Sequence, residues 1–229
     1  MPMPDVALSF KEILTRVGRY LPIQTPTSSN AALNFLAHGR WMHERGFDPA
    51  KRLPNRDQVW ASVANRICNQ RVLYLEFGVA HGGSMTFWSQ MLKNPQSLLH
   101  GFDSFEGLPE TAGRWVKGEF SVAGQIPFIP DRRVRFFKGW FDAVLPGYSV
   151  PAHDVLVLNL DADLYSSTSY VLRYMRPHIR KGSFLYFDEI HYADHEQRAF
   201  DEFLDETGLK FRCCAADKSL AHVFFECLG

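Results

Sequence analysis

The 229 residues leave room for one α/β domain with an added N-terminal element, and 25 Lys+Arg balance 25 Asp+Glu. That balance excludes a bulk field that would recruit nucleic acid or an acidic membrane, and 46% hydrophobic content with 19 Phe argues for a large core and against disorder. No apolar run reaches the ~18 residues of a membrane span, no secretory signal is visible, and Cys68, Cys213, Cys214 and Cys227 lack CxxC or zinc spacing, so free thiols in a cytoplasmic protein are expected.

Residues 1–70 read as a helical lead-in packed on the core. Ser28 or Ser29 is placed to cap a helix through NAALNFLAHGRWMHERGF, and Pro54 with Asn55 to open another through DQVWASVANRI. Residues 71–229 form the main domain. There, short apolar runs alternate with amphipathic stretches, as βα units of a parallel sheet do. Strands are expected near 71–77, 98–103, 133–138, 154–160 and 182–187, and helices near 83–93, 140–145, 166–176 and 194–207. Val171, Leu172, Met175 and Ile179 give one helix a buried stripe that Pro177 should end or kink. In the tail, two apolar runs flank AADKS with no room for a crossover helix, so an antiparallel hairpin should close the sheet. The stretch 104–132 has little periodicity and reads as a functional loop or lid.

Five acids fall at expected strand ends: Glu76, Asp103, Asp161, Asp188 and Glu189. Ligands of open parallel sheets bind outside the carboxyl ends of the strands. Neighbouring strands lie ~5 Å apart, so Asp161 and Asp188 can grip one small hard cation; taken singly, each acid can equally cap the helix that follows. The first strand runs into LEFGVAHGGS, where Gly78, Gly82 and Gly83 let a ligand approach the backbone. Ala80 breaks the GxGxxG fingerprint, which argues against a dinucleotide. Asp103, with Ser104 beside it, ends the next strand twenty residues past Gly83 and is placed to accept ribose hydroxyls. Glu76 either accepts from the ligand's amine or ties down the loop. S-adenosylmethionine fits this pattern better than NAD, since it has an adenosine and no pyrophosphate.

With these residues assembled, the chain resembles the macrocin O-methyltransferase family of class I S-adenosylmethionine-dependent methyltransferases, which modify sugars of natural products. The resemblance rests on EFGVAHGGS (76–84), GFDSFEGLPE (101–110), KGWFDAVLP (138–146), LDADLYSST (160–168) and the strand ending Asp188-Glu189. It implies a Rossmann-like, mostly parallel seven-stranded sheet with the C-terminal hairpin and N-terminal helices added. It also implies cofactor contacts at Gly78, Gly82, Ser84 and Asp103, and Mg2+ held by Asp161, Asp188 and Glu189. Two positions depart from the family pattern: Glu189-Ile190 stands where Asp-Tyr is usual, and Ala162 where Gly is usual.

Such an ion would orient a vicinal diol of a small hydroxylated acceptor, a sugar or a catechol-like ring, for methyl transfer. His191 is the candidate general base, with His195 behind it. His81 is expected to wall the cofactor pocket, and Asp163 to satisfy the start of the following helix. Trp115, Trp140 and Phe141 either stack on a ligand or pack the loops. An NAD-linked oxidoreductase and a non-catalytic methyltransferase-fold binding protein are the competing readings. Monomer and homo-oligomer both remain open.

Overall fold

The computed structural model describes residues 6–18, 20–22 and 24–229. Three helices lead in: α1 (Val6–Gly18), α2 (Gln24–Glu44) and α3 (Arg56–Ile67). Because α2 begins at Gln24, Ser28 and Ser29 lie inside it and not at its start. Asn55 does cap α3, its side chain accepting from Gln58 N at 3.1 Å. Between α2 and α3 runs β1 (Arg52–Leu53), two residues long and below what periodicity can signal.

The sheet follows: β2 (Val72–Phe77), β3 (Leu98–Asp103), β4 (Val134–Lys138), β5 (Val155–Leu160), β6 (Phe184–Phe187), β7 (Phe211–Asp217) and β8 (Val223–Cys227). Its order is β1-β7-β8-β6-β5-β2-β3-β4. Strands β2 to β6 are mutually parallel, whereas β8 runs antiparallel to both β6 and β7. Eight strands therefore stand where seven were expected; the addition is β1, parallel to the edge of β7 (Arg52↔Ala216, Leu53↔Asp217).

The helices α4 (Gly83–Met91), α5 (Phe141–Val144), α6 (Tyr165–Met175) and α7 (Glu196–Thr207) complete the chain. Side chains alternate across each strand, so the sheet feeds two cores. Leu73, Leu75, Phe77, Leu158, Leu160 and Phe187 pack with Val171, Leu172, Met175 of α6 and Phe200, Phe203 of α7. Val72, Tyr74, Val157 and Tyr186 face the other way, onto Trp60 and Val63 of α3 and Met85 and Trp88 of α4. Cover on both faces explains why β2 and β5 read as unbroken apolar runs. As expected, α6 stops at Met175, and Pro177 sits in a short 3-10 turn.

The segment 104–132 contains no helix or strand yet is internally bonded: Leu108 N donates to Glu119 O, Gly118 N to Leu108 O and Gly124 N to Phe105 O. Trp115 is buried with Leu108 and Leu164, which settles its role as packing. Among the described residues, no helix is long and apolar enough to cross a membrane.

Candidate functional site

A cleft of about 710 Å3 opens at the C-terminal ends of the five parallel strands. Each strand delivers residues to it: Gly78 and Ala80 after β2, Asp103 and Ser104 at β3, Gly139 and Trp140 after β4, Asp161 and Asp163 after β5, Asp188 and Glu189 after β6. Leu108, Glu110, Lys117 and Phe120 of the 104–132 segment, with Ser166 and Tyr170 of α6, add side-chain walls. The volume suits a cofactor with a small acceptor. Its centre is where β2 lies beside β5 and the chain reverses its order of winding.

Asp103 organises the glycine turn. Its Oδ2 accepts from Val79 N at 2.7 Å and Ala80 N at 2.8 Å, and its Oδ1 from Phe105 N at 2.7 Å. A carboxylate has roughly four acceptor sites, so about one remains for a ligand hydroxyl, fewer than the ribose pair expected. Ala80 sits at φ +45°, a left-handed conformation costing about 1–2 kcal/mol for a residue with a Cβ. The backbone thus takes a glycine-like path although the sequence has Ala.

Gly78, at φ +94°, touches the opposite side of the site: a Cβ built there would lie 1.8 Å from the Asp161 carbonyl oxygen. Gly78→Ala is therefore expected to destabilise the protein by about 3 kcal/mol or more. Urea unfolding measures this, and a curve superimposing on the wild type would overturn the contact.

The remaining predicted cofactor residues lie outside the cleft lining. Glu76 is fully buried beneath the turn and faces α4. Ser84 is hydrogen-bonded to it. His81 is exposed on the surface, and Gly82, at φ +74°, leads into α4 against Pro127.

Across the cleft, carboxylates crowd together. Among the described residues none donates a hydrogen bond to the Asp161 carboxylate; burial, then the charges of Asp188, Asp163 and Glu196, push it well above the usual range. Burial and Glu189 raise Asp163 to about 7. Asp163 does not cap α6: Leu164 occupies that position without a side-chain bond, and Asp163 takes φ +57° facing the cleft. Burial also raises Glu189, whose Oε2 is enclosed without a partner. Glu196 of α7 accepts from Glu189 N at 3.1 Å and leaves its own Oε1 unpartnered.

Asp188 differs. Burial would raise it, but His222 at 3.3 Å, Tyr186 OH at 2.6 Å and Arg56 at 3.3 Å hold it below the usual value. Sequence reasoning missed Arg56, His222 and Glu196. The first two come from the lead-in and from the turn of the tail hairpin, and only long-range pairing brings them here. Glu196 carried the signal of an ordinary acid in a helix's first turn.

The chain turns immediately after β6, which brings Asp188 and Glu189 to one cleft despite their adjacency. His191 goes elsewhere. Its ring stacks on Phe35 at 4.5 Å, and burial lowers it to about 4. Neither it nor His195 lines the cleft. Among the described residues, no three His, Cys, Asp or Glu side chains are close enough together to enclose a metal ion.

The model of the macrocin O-methyltransferase family (TylF) matches residues 128–225. The 8-demethyl-8-(2,3-dimethoxy-alpha-L-rhamnosyl)-tetracenomycin-C 4'-O-methyltransferase of Streptomyces olivaceus is 30% identical over 223 residues, covering 78% of this chain and 77% of that protein. The chain belongs to the macrocin O-methyltransferase family. Another relative, demethyldecarbamoylnovobiocin O-methyltransferase of Streptomyces niveus, is 34% identical over 175 residues, 67% of this chain and 65% of that one. Among solved structures, the O-methyltransferase NovP has a TM-score of 0.57 at 22% identity, covering 76% and 78% of the two chains. Calicheamicin methyltransferase CalS11 also has 0.57, at 20% identity over 99% and 86%. These two likenesses establish the shared fold. As a member of the macrocin O-methyltransferase family, the protein is an S-adenosylmethionine-dependent O-methyltransferase, and the NAD-linked and binding-only readings are set aside.

Proposed function

We propose that this enzyme methylates one hydroxyl of a vicinal pair on a glycosylated natural product, with Mg2+ at the carboxylate wall of the cleft. The observation carrying this reading is the shared cleft: the glycine turn and the carboxylate strand meet backbone to backbone at Gly78 and Asp161. Both relatives, by name, methylate natural products, one of them bearing a rhamnosyl sugar. Residues 71–229 form the catalytic domain; of the lead-in, α3 packs on the sheet and carries Arg56 to Asp188, whereas the described side chains of α1 are exposed and not packed on the core as expected.

Asp161, Asp188 and Glu189 fit Mg2+ by donor chemistry. All offer oxygen, which this ion prefers, and Glu189 Oε2 is buried without a partner. The set is not preassembled, and Arg56 and His222 already face Asp188. When bound, the ion would supply Lewis-acid activation of an acceptor hydroxyl.

The chain's own residues do the rest. Gly78, Ala80 and Asp103 hold the donor against the β2 and β3 ends. Asp163, lining the cleft two residues past Asp161, takes the hydroxyl proton. The acceptor oxygen forms its bond to the methyl carbon as the carbon–sulfur bond breaks, and the sulfonium leaves as a neutral thioether. Trp140, Phe141 and Phe120 exclude water from the cleft.

Incubating the protein with S-adenosylmethionine, Mg2+ and a panel of rhamnosylated polyketides and simple diols tests the reading. A product heavier by one methylene, dependent on the diol, is expected. Equal turnover of single hydroxyls would remove the vicinal requirement, and no turnover of any glycoside would remove the acceptor class.

A further inference from the structure

The buried carboxyl of Glu76 has no place in the scheme above. It is fully enclosed, yet it sits one layer below the turn that holds the donor. Even-numbered residues of β2 point toward α3 and α4, as Val72 and Tyr74 do. Glu76 follows that alternation, so its carboxyl meets α4 and not the cleft. Its Oε1 is hydrogen-bonded to Ser84 Oγ in the first turn of α4, a contact in which the uncharged acid donates and the carboxylate accepts. Its Oε2 accepts from Tyr74 OH at 2.9 Å, and Tyr74 in turn accepts from Asn159 Nδ2 of β5 at 2.8 Å. The Tyr74 ring also stacks on Trp88 of α4 at 4.9 Å. A continuous polar chain therefore runs from β5 through β2 into the start of α4, under the glycine turn.

We propose that Glu76 is a positioning residue for S-adenosylmethionine binding, acting through Ser84 and Tyr74 to fix the glycine turn without touching the cofactor. This rests on the turn being the donor site. The titratable and polar groups facing Glu76 are Tyr74, Ser84, Asn159 and, at longer range, Asp103 and Asp161. Burial raises its carboxyl to about 8, so at neutral pH it is mainly the uncharged acid. An uncharged acid has a close stand-in in an amide, whereas an ionic grip on the cofactor's amine would not.

Calorimetric titration of S-adenosylmethionine and of an analogue lacking the amino group separates the two roles. Glu76→Leu and Ser84→Ala should each weaken both ligands by about 10-fold, roughly equally, as the turn loosens. Glu76→Gln should restore binding of both to within about 3-fold of wild type, since the amide preserves the chain of hydrogen bonds. A Glu76→Gln loss as deep as that of Glu76→Leu, absent with the deamino analogue, would show direct contact and overturn the proposal. If Glu76→Leu does not fold, Tyr74→Phe serves instead, and unequal losses for the two ligands would refute it in the same way. Failure of the wild-type protein to bind S-adenosylmethionine would instead remove the donor site itself.

Discussion

Asp161→Asn is expected to reduce methyl transfer by ~100-fold or more while leaving the protein as stable as wild type or more so. The carboxylate has no donor among the described residues and is repelled by Asp188, Asp163 and Glu196. Neutralising it relieves that repulsion, so the folded state gains what the chemistry loses, as at other strained functional sites. Asp188→Asn should lose activity too, but with a lower melting temperature, because Arg56 and His222 are left facing an amide. Breaking a buried pair can cost about 3–5 kcal/mol; Arg56 is 45% exposed, so a smaller loss is expected here. Cofactor affinity should change little in either variant. A chelator should abolish wild-type turnover and Mg2+ restore it. Thermal melts and single-turnover assays decide the matter, and two active variants with chelator-resistant turnover would reduce these carboxylates to structure.

The second large effect is expected at Asp103. Asp103→Ala removes the acceptor of three backbone N–H groups as well as the site proposed for a ribose hydroxyl. Hydrogen bonds to a charged group contribute about 1.5–3 kcal/mol each. S-adenosylmethionine affinity should fall at least 10-fold, about 1.4 kcal/mol, and the turn 78–82 should lose protection from hydrogen exchange even before ligand is added. Asp103→Asn should be milder, since one oxygen survives. Unchanged affinity in the alanine variant would separate the turn from the donor.

Most of the fold was legible because its signals are local. The runs at β2 and β5 are continuous and apolar, and the helices between strands carry one-sided stripes. Pro177 and Asn55 mark boundaries by their own stereochemistry. What escaped was either too short, as with β1, or decided by distant partners. Asp188 was readable as a strand-end acid; that Arg56 and His222 flank it was not, since they lie 132 and 34 positions away (188 − 56, 222 − 188). Asp163 looked like a helix cap by type and place, and only its left-handed backbone turns it toward the cleft. His191 has the chemistry of a base, but the chain bends after β6 and lays its ring on Phe35.

The meeting of Gly78 with the Asp161 carbonyl bears on how this catalyst can be changed. Main chain abuts main chain there, so side chains elsewhere in the cleft leave the spacing between the glycine turn and the acidic wall as it is. Under the proposed function, variation aimed at the acceptor belongs on surfaces made of side chains, such as Leu108, Lys117 and Phe120 in the long connection and Ser166 and Tyr170 on α6. A library for new acceptors belongs at those five positions, with both strand ends left as they are.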